Sequence, residues 1–121
     1  MPTFVAYEVA VELVRELRPM VELIAQHDAN LADQMKRAAT SVVLNLSEGA
    51  RRAAGNRRRA YEIAHGEARE LLGALDCAAA WGYVLDASRA RATLDRLLGL
   101  LWGLTHPGHV TRSALRGQTS P

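Results

Sequence analysis

The chain has 121 residues, of which 49% are apolar, 23% charged and 5% aromatic, with a formal net charge of +2. That length suits one domain with a hydrophobic core of its own, and abundant Ala, Leu and Arg beside few aromatics favours helices over strands. A single cysteine, Cys77, excludes an intramolecular disulfide and a cysteine-built zinc site. Without a cleavable leader or an apolar run of about 18 residues, the expectation is a cytoplasmic protein.

The first helix is predicted over 4–26, where Phe4, Tyr7, Val11, Val14, Leu17, Val21 and Ile24 keep a helical period. Pro19 interrupts it, and because the apolar phase continues beyond, the expectation is a kink near Arg18 within one helix. A second helix over about 29–52 is capped by Asp28 or Asn30, with Leu31, Met35, Ala38, Ala39, Val42, Val43, Leu46 and Ala50 as its core side. The third covers about 57–82, with Asn56 as its candidate cap and Ala60, Ala64, Glu67, Leu71, Leu75 and Ala78 turned inward. Gly66, Gly73 and Ala80 recur every seven residues along it, which reads either as a close helix crossing or as incidental small residues. Asp86 or Ser88 caps a fourth helix running to about Thr105, built on Leu94, Leu97, Leu98, Leu101 and Leu104. The pattern specifies an all-α, antiparallel up-and-down four-helix bundle over 1–105, with a flexible C-terminal tail over 106–121.

The second helix carries an unusual second stripe. Arg37, Ser41, Asn45 and Glu48 line up at spacings of four, four and three. Ser and Asn inside a helix cost about half a kcal/mol each relative to Ala. Either they are exposed and tolerated, or they hydrogen-bond to another helix within the fold or across a subunit boundary.

Charge alternates by segment: residues 1–33 carry −4, 34–60 carry +6, 61–86 carry −4 and 87–121 carry +4. In an antiparallel bundle this lets neighbouring helices attract. Arg51, Arg52, Arg57, Arg58 and Arg59 nevertheless stand out, with no acid among them. The dipole at the end of the second helix accounts for Arg51 and Arg52; Arg57 to Arg59 open the third helix, where positive charge is unfavourable. An external anion is the reading drawn from this, either an RNA backbone or an acidic protein neighbour.

Enzymatic chemistry finds little support. Glu62 and His65 have half the spacing of a di-iron bundle site, but no second Glu-x-x-His follows. His106 and His109 flank a Pro-Gly turn and make a poor pair of ligands. Ser41, Ser47 and Cys77 lack a motif that places a base beside them, so no catalytic residue, metal or cofactor is assigned. Cys77 is expected to be a small buried apolar residue, and Trp81 and Trp102 to be core or interface residues.

The segments Gln34-Met-Lys-Arg-Ala-Ala-x-Ser-Val-x-x-Asn-Leu-x-Glu-Gly49 and Tyr61-x-Ile-Ala-x-Gly-x-x-x-Glu70 resemble the signature of four-helix bundle proteins encoded in intervening sequences of bacterial 23S rRNA genes. The resemblance extends from Phe4 to Leu104. It implies a cytoplasmic, ring-like homopentamer without established catalytic activity, some of whose relatives are accessory proteins of diversity-generating retroelements that bind a reverse transcriptase and nucleic acid. The motif positions carried over as oligomer or interhelix contacts are Arg37, Ser41, Asn45, Glu48, Gly49, Gly66 and Glu70. This chain departs from the pattern at Glu67, where the family often has Ser, and at Pro19. The resulting expectation is a homo-oligomeric scaffold that binds RNA or a ribonucleoprotein through Arg51, Arg52, Arg57, Arg58 and Arg59, the alternative being a module that docks an acidic protein.

Overall fold

A computed structural model describes residues 2–84 and 86–108, the side chains of residues 2–4 excepted. Four helices follow one another: α1 (Pro2–Ala25), α2 (Ala29–Ala50), α3 (Ala54–Ala80) and α4 (Ser88–Thr105). Short connections force successive helices antiparallel, and contacts join α1 to α2, α2 to α3, α3 to α4 and α4 back to α1. The result is the expected up-and-down bundle, and the described residues include no strand.

Local chemistry sets the helix ends. Asp28 accepts the Leu31 N–H at 3.0 Å, which starts α2. The cap position of α4 is Ala87, which makes no side-chain bond, not Asp86 or Ser88 as expected; Asp86 instead accepts the Ser88 N–H at 3.0 Å and its hydroxyl at 2.8 Å. These bonds to Ser88, through the backbone first, hold the Asp86 carboxyl below its ordinary value. Asn56 does not cap α3: the helix starts at Ala54, three residues earlier than expected, and its cap position, Ala53, makes no side-chain bond. Gly82, at φ +79°, supplies the left-handed residue that turns the chain out of α3. Pro19 lies inside an uninterrupted α1. Beyond Thr105, Pro107 and Gly108 are in helical conformation. The rest of the expected tail, 109–121, falls outside the described residues.

The core is leucine and alanine. Leu13, Leu17, Ile24, Met35, Leu46, Leu71, Leu75, Leu94, Leu97 and Leu101 are fully buried, interleaved with Ala6, Ala10, Ala38, Ala64, Ala68 and Ala78. Three expected core faces are shifted. On α1, Ala6, Val9, Ala10 and Leu13 turn inward whereas Tyr7 and Val14 are exposed and Val11 and Val21 half-buried; Phe4 is outside the described side chains. On α2 the last inward residue is Gly49 instead of Ala50, and on α3 Ala68 takes the place assigned to Glu67, which is half-buried at the margin. Ala6 and Ala10 on α1, Gly49 on α2 and Ala68 on α3 are small, because closely approaching helices leave room there for Ala or Gly. The alternating segment charges do little to join helices: Arg91 to Asp76, at 2.7 Å, links α4 to α3, while the other ion pairs among the described residues are local.

Candidate functional site

The α2–α3 turn is built around a close approach. A Cβ on Gly49 would fall 2.9 Å from Cδ1 of Tyr61 and still nearer Cε1, and both residues are buried. Glycine at this position lets the tyrosine ring approach the α2 backbone closely. Arg57 crosses the turn and donates from Nε to the Gly49 carbonyl at 3.2 Å. A cation from the start of α3 thus satisfies the end of α2, one reason positive charge is tolerated there. Neither the Tyr61 contact nor the Arg57 bond follows from helical periodicity, since both depend on how tightly the turn closes.

All five arginines of the turn are exposed, with different company. Arg52 Nε donates to Glu48 Oε1 at 2.6 Å and Arg51 reaches Oε2 at 3.5 Å, so one carboxylate serves two cations. Arg52 first and Arg51 second hold Glu48 below the ordinary carboxylate value. Arg58 pairs with Glu62 at 3.3 Å, one turn along α3. Arg59 has no ion pair among the described residues. Two carboxylates therefore face five guanidinium groups, and the amides of Ala54, Gly55 and Asn56 begin a helix without a side-chain cap. The turn is electropositive after its local pairs are counted.

The polar ridge runs along α2 toward the same turn. Asn45 Nδ2 donates to the Ser41 carbonyl at 2.9 Å and to its hydroxyl at 3.1 Å, so within one chain these side chains bond to each other along α2, not to another helix. Both are half-buried, Glu48 is half-buried and Arg37 exposed. Across the α2–α3 groove, Glu67 sits above the ordinary carboxylate value because of burial and then Glu70, with the Arg37 charge opposing. The groove margin therefore gathers Arg37 and Glu70 around Glu67, a residue the sequence had placed in the core.

Gly66 and Gly73 are exposed, and nothing lies within 4 Å of a Cβ built on either. No helix of the same chain crosses there, which corrects the close-crossing reading within one molecule. Cys77 is exposed, not buried, because α3 turns its Ala78 inward instead. The outward face of this half of the bundle also shows Leu44 at 62% and Ile63 at 43% exposure. Trp102 and Trp81 are likewise exposed, so neither is a core residue of one chain.

His65 is held below its ordinary value by burial, with smaller contributions from Arg69 and His106. His106 stacks on Trp102 with centroids 4.2 Å apart. Among the described residues no group of three or more His, Cys, Asp or Glu is arranged to hold a metal, so Glu62 and His65 gain no further ligand there. No helix of the described residues is long and apolar enough to cross a membrane.

A family model described as 23S rRNA-intervening sequence protein matches residues 3–102. The match spans all but the last residues of the bundle, and the chain belongs to that family. No curated protein matches the chain.

Proposed function

We propose that this member of the 23S rRNA-intervening sequence protein family is a non-catalytic scaffold of the cytoplasm, assembled from several copies, five if it follows the ring its motif implies, that holds RNA or a ribonucleoprotein. The observation that carries the reading is the α2–α3 turn, where five exposed guanidinium groups flank an uncapped helix start and, among the described residues, pair with two carboxylates, Glu48 and Glu62. One such turn is a weak ligand for a phosphate backbone; several presented together raise apparent affinity by about 100-fold or more when they reach the same strand. Support for assembly comes from the outward face of α2 and α3, with its open glycines, exposed Leu44 and Ile63, and polar pair Ser41 and Asn45.

Arg51 and Arg59 are the residues to change, because Arg57 also closes the turn. Gln at both positions is expected to weaken binding of a structured RNA and to flatten the dependence of log K on log salt by up to about 0.9 for each phosphate no longer neutralised. Binding and salt slope equal to wild type would remove RNA from the proposal. A partner captured equally well after nuclease treatment would replace it with an acidic protein surface. For assembly, Leu in place of Ser41 and Asn45 is expected to change the mass of the oligomer in native mass spectrometry.

A further inference from the structure

Next to the arginine turn, the face where α3 meets α4 carries an aromatic surface. The Asp76–Arg91 ion pair fixes the register of these antiparallel helices. Equal rise along both then places Trp102 level with His65, and His106 near the level of Tyr61, within a turn of Arg58. The ring of His106 stacks on that of Trp102, with centroids 4.2 Å apart and planes 11° from parallel. Its Nδ1 lies 2.9 Å from the Trp102 carbonyl and 3.0 Å from the Thr105 hydroxyl, so edge and face are both tied to α4. Both rings belong to exposed residues. The end of α4 thus holds a fixed aromatic stack about 5–10 Å along the bundle axis from Arg58.

The charge on this face is cationic once its local pairs are made. On α3 the stripe bordering α4 runs Arg58, Glu62, His65, Arg69 and Asp76. Arg58 engages Glu62 at 3.3 Å and Arg91 engages Asp76 at 2.7 Å, whereas Arg69 is exposed and has no ion pair among the described residues. The α4 side adds His106 and, two turns before Trp102, Asp95, which by the same register lies one turn beyond Arg69 and away from the arginine turn. Residues 2–7 of α1, which end at this level, include no charged side chain, and Glu67 and Glu70 belong to the α2 side of α3 with Arg37. His65 reports the balance: after burial, the charges acting on it are those of Arg69 and His106, and no carboxylate is among them.

An anion that carries a flat ring answers both features. Bases within a duplex are already stacked on their neighbours and offer only edges in the grooves, whereas an unpaired base can leave its strand and lie on an aromatic surface. An acidic peptide would use Arg69 and leave the stack idle. We propose that the His106–Trp102 stack, with Arg69 on the adjoining turn of α3, is a site for an unpaired nucleotide, its base added to the stack and its phosphate held by Arg69. This assignment rests on the RNA reading of the arginine turn and narrows the ligand to a single strand running from that turn along α3 and α4.

The test uses the full chain and a short labelled RNA without self-complementarity, alone and annealed to its complement. Fluorescence anisotropy is expected to show tighter binding of the single strand. His106→Ala should lower that affinity by about fivefold or more, and His106→Phe, which keeps a ring but no charge, should retain it. Arg69→Gln should weaken it and flatten the slope of log K on log salt by up to about 0.7. In a Trp81→Phe chain, whose single tryptophan is Trp102, the strand should quench the emission. Each variant is checked for wild-type helicity by circular dichroism. Equal affinity for strand and duplex, or wild-type affinity in His106→Ala, would overturn the site; a loss that still followed Arg51→Gln with Arg59→Gln would then leave the RNA reading of the turn standing without it. A wild-type chain that binds neither RNA would overturn both, and Trp102 emission moved by a capped acidic peptide but not by RNA would assign the face to a protein instead.

Discussion

Replacing Gly49 with Ala sets two known effects against each other. Gly49 is inside α2 with ordinary helical geometry, so Ala there gains about 1 kcal/mol of helix propensity. Against this, the new methyl would sit 2.9 Å from Cδ1 and 3.2 Å from Cζ of Tyr61, whose ring is 3% exposed and has nowhere to swing without disturbing the core. Overpacking of this kind costs about 1–3 kcal/mol. At the middle of that range the clash wins, with a net loss of about 1 kcal/mol, or a fall in Tm of about 4 °C for a chain of this size. Thermal unfolding followed by far-ultraviolet circular dichroism, at fixed protein concentration and with oligomer mass checked by light scattering, measures it. Two controls make the result specific. Gly66→Ala, where the space is open, should stabilise an isolated chain by about 0.5–1 kcal/mol. In a Tyr61→Ala background, Gly49→Ala should become stabilising, because the atom it strikes is gone. A Gly49→Ala chain as stable as wild type, or a penalty that persists without the Tyr61 ring, would show that the close approach is not what reserves this position for glycine.

Three further outcomes follow from the geometry. Asp28→Ala removes the α2 cap and should cost about 1 kcal/mol in urea unfolding, with no change in slope. Burial, with Glu70 beside it, holds Glu67 above its ordinary value, so the folded chain binds that proton more tightly than the unfolded one and the charged form at neutral pH opposes folding. Glu67→Gln should therefore raise stability at pH 7, an advantage that shrinks as the pH falls toward about 4, where the carboxyl becomes protonated in both states; a constant difference across that range would contradict it. Cys77 should react with a thiol reagent without denaturant in dilute protein, and more slowly at concentrations where the chain assembles, if copies meet along the outer face of α3. Identical rates at every concentration would put the contact elsewhere.

How much could be read beforehand depends on the length scale of each interaction. Asp28 was legible because a cap acts on the next turn of its own helix. The four helices were legible because Leu repeats on α4 and the apolar run of α2 keep one phase. On α1 the larger side chains Tyr7, Val11 and Val14 drew attention from Ala6, Val9 and Ala10, which are what the interior accommodates once α2 and α4 approach closely. The oddity of Ser41 and Asn45 was visible, but not that they bond to each other, since the i, i+4 spacing serves an internal bond as well as an external one. Arg57 was read as a free charge because its acceptor, the Gly49 carbonyl, is eight residues away across a turn. The stacking of His27 on Tyr83 lay further out of reach, requiring two loops distant in sequence to meet.

Because α1 and α4 run side by side in opposite directions, Pro2 and Thr105 come to the same end of the bundle as the arginine turn. An affinity tag or fluorescent protein fused directly ahead of Pro2 would crowd the cationic surface and leave Trp81 clear. Such fusions are thus unequal reporters of the two ends: a pull-down through an amino-terminal tag favours capture of whatever binds the far end, and nucleic-acid measurements call for tag-free material.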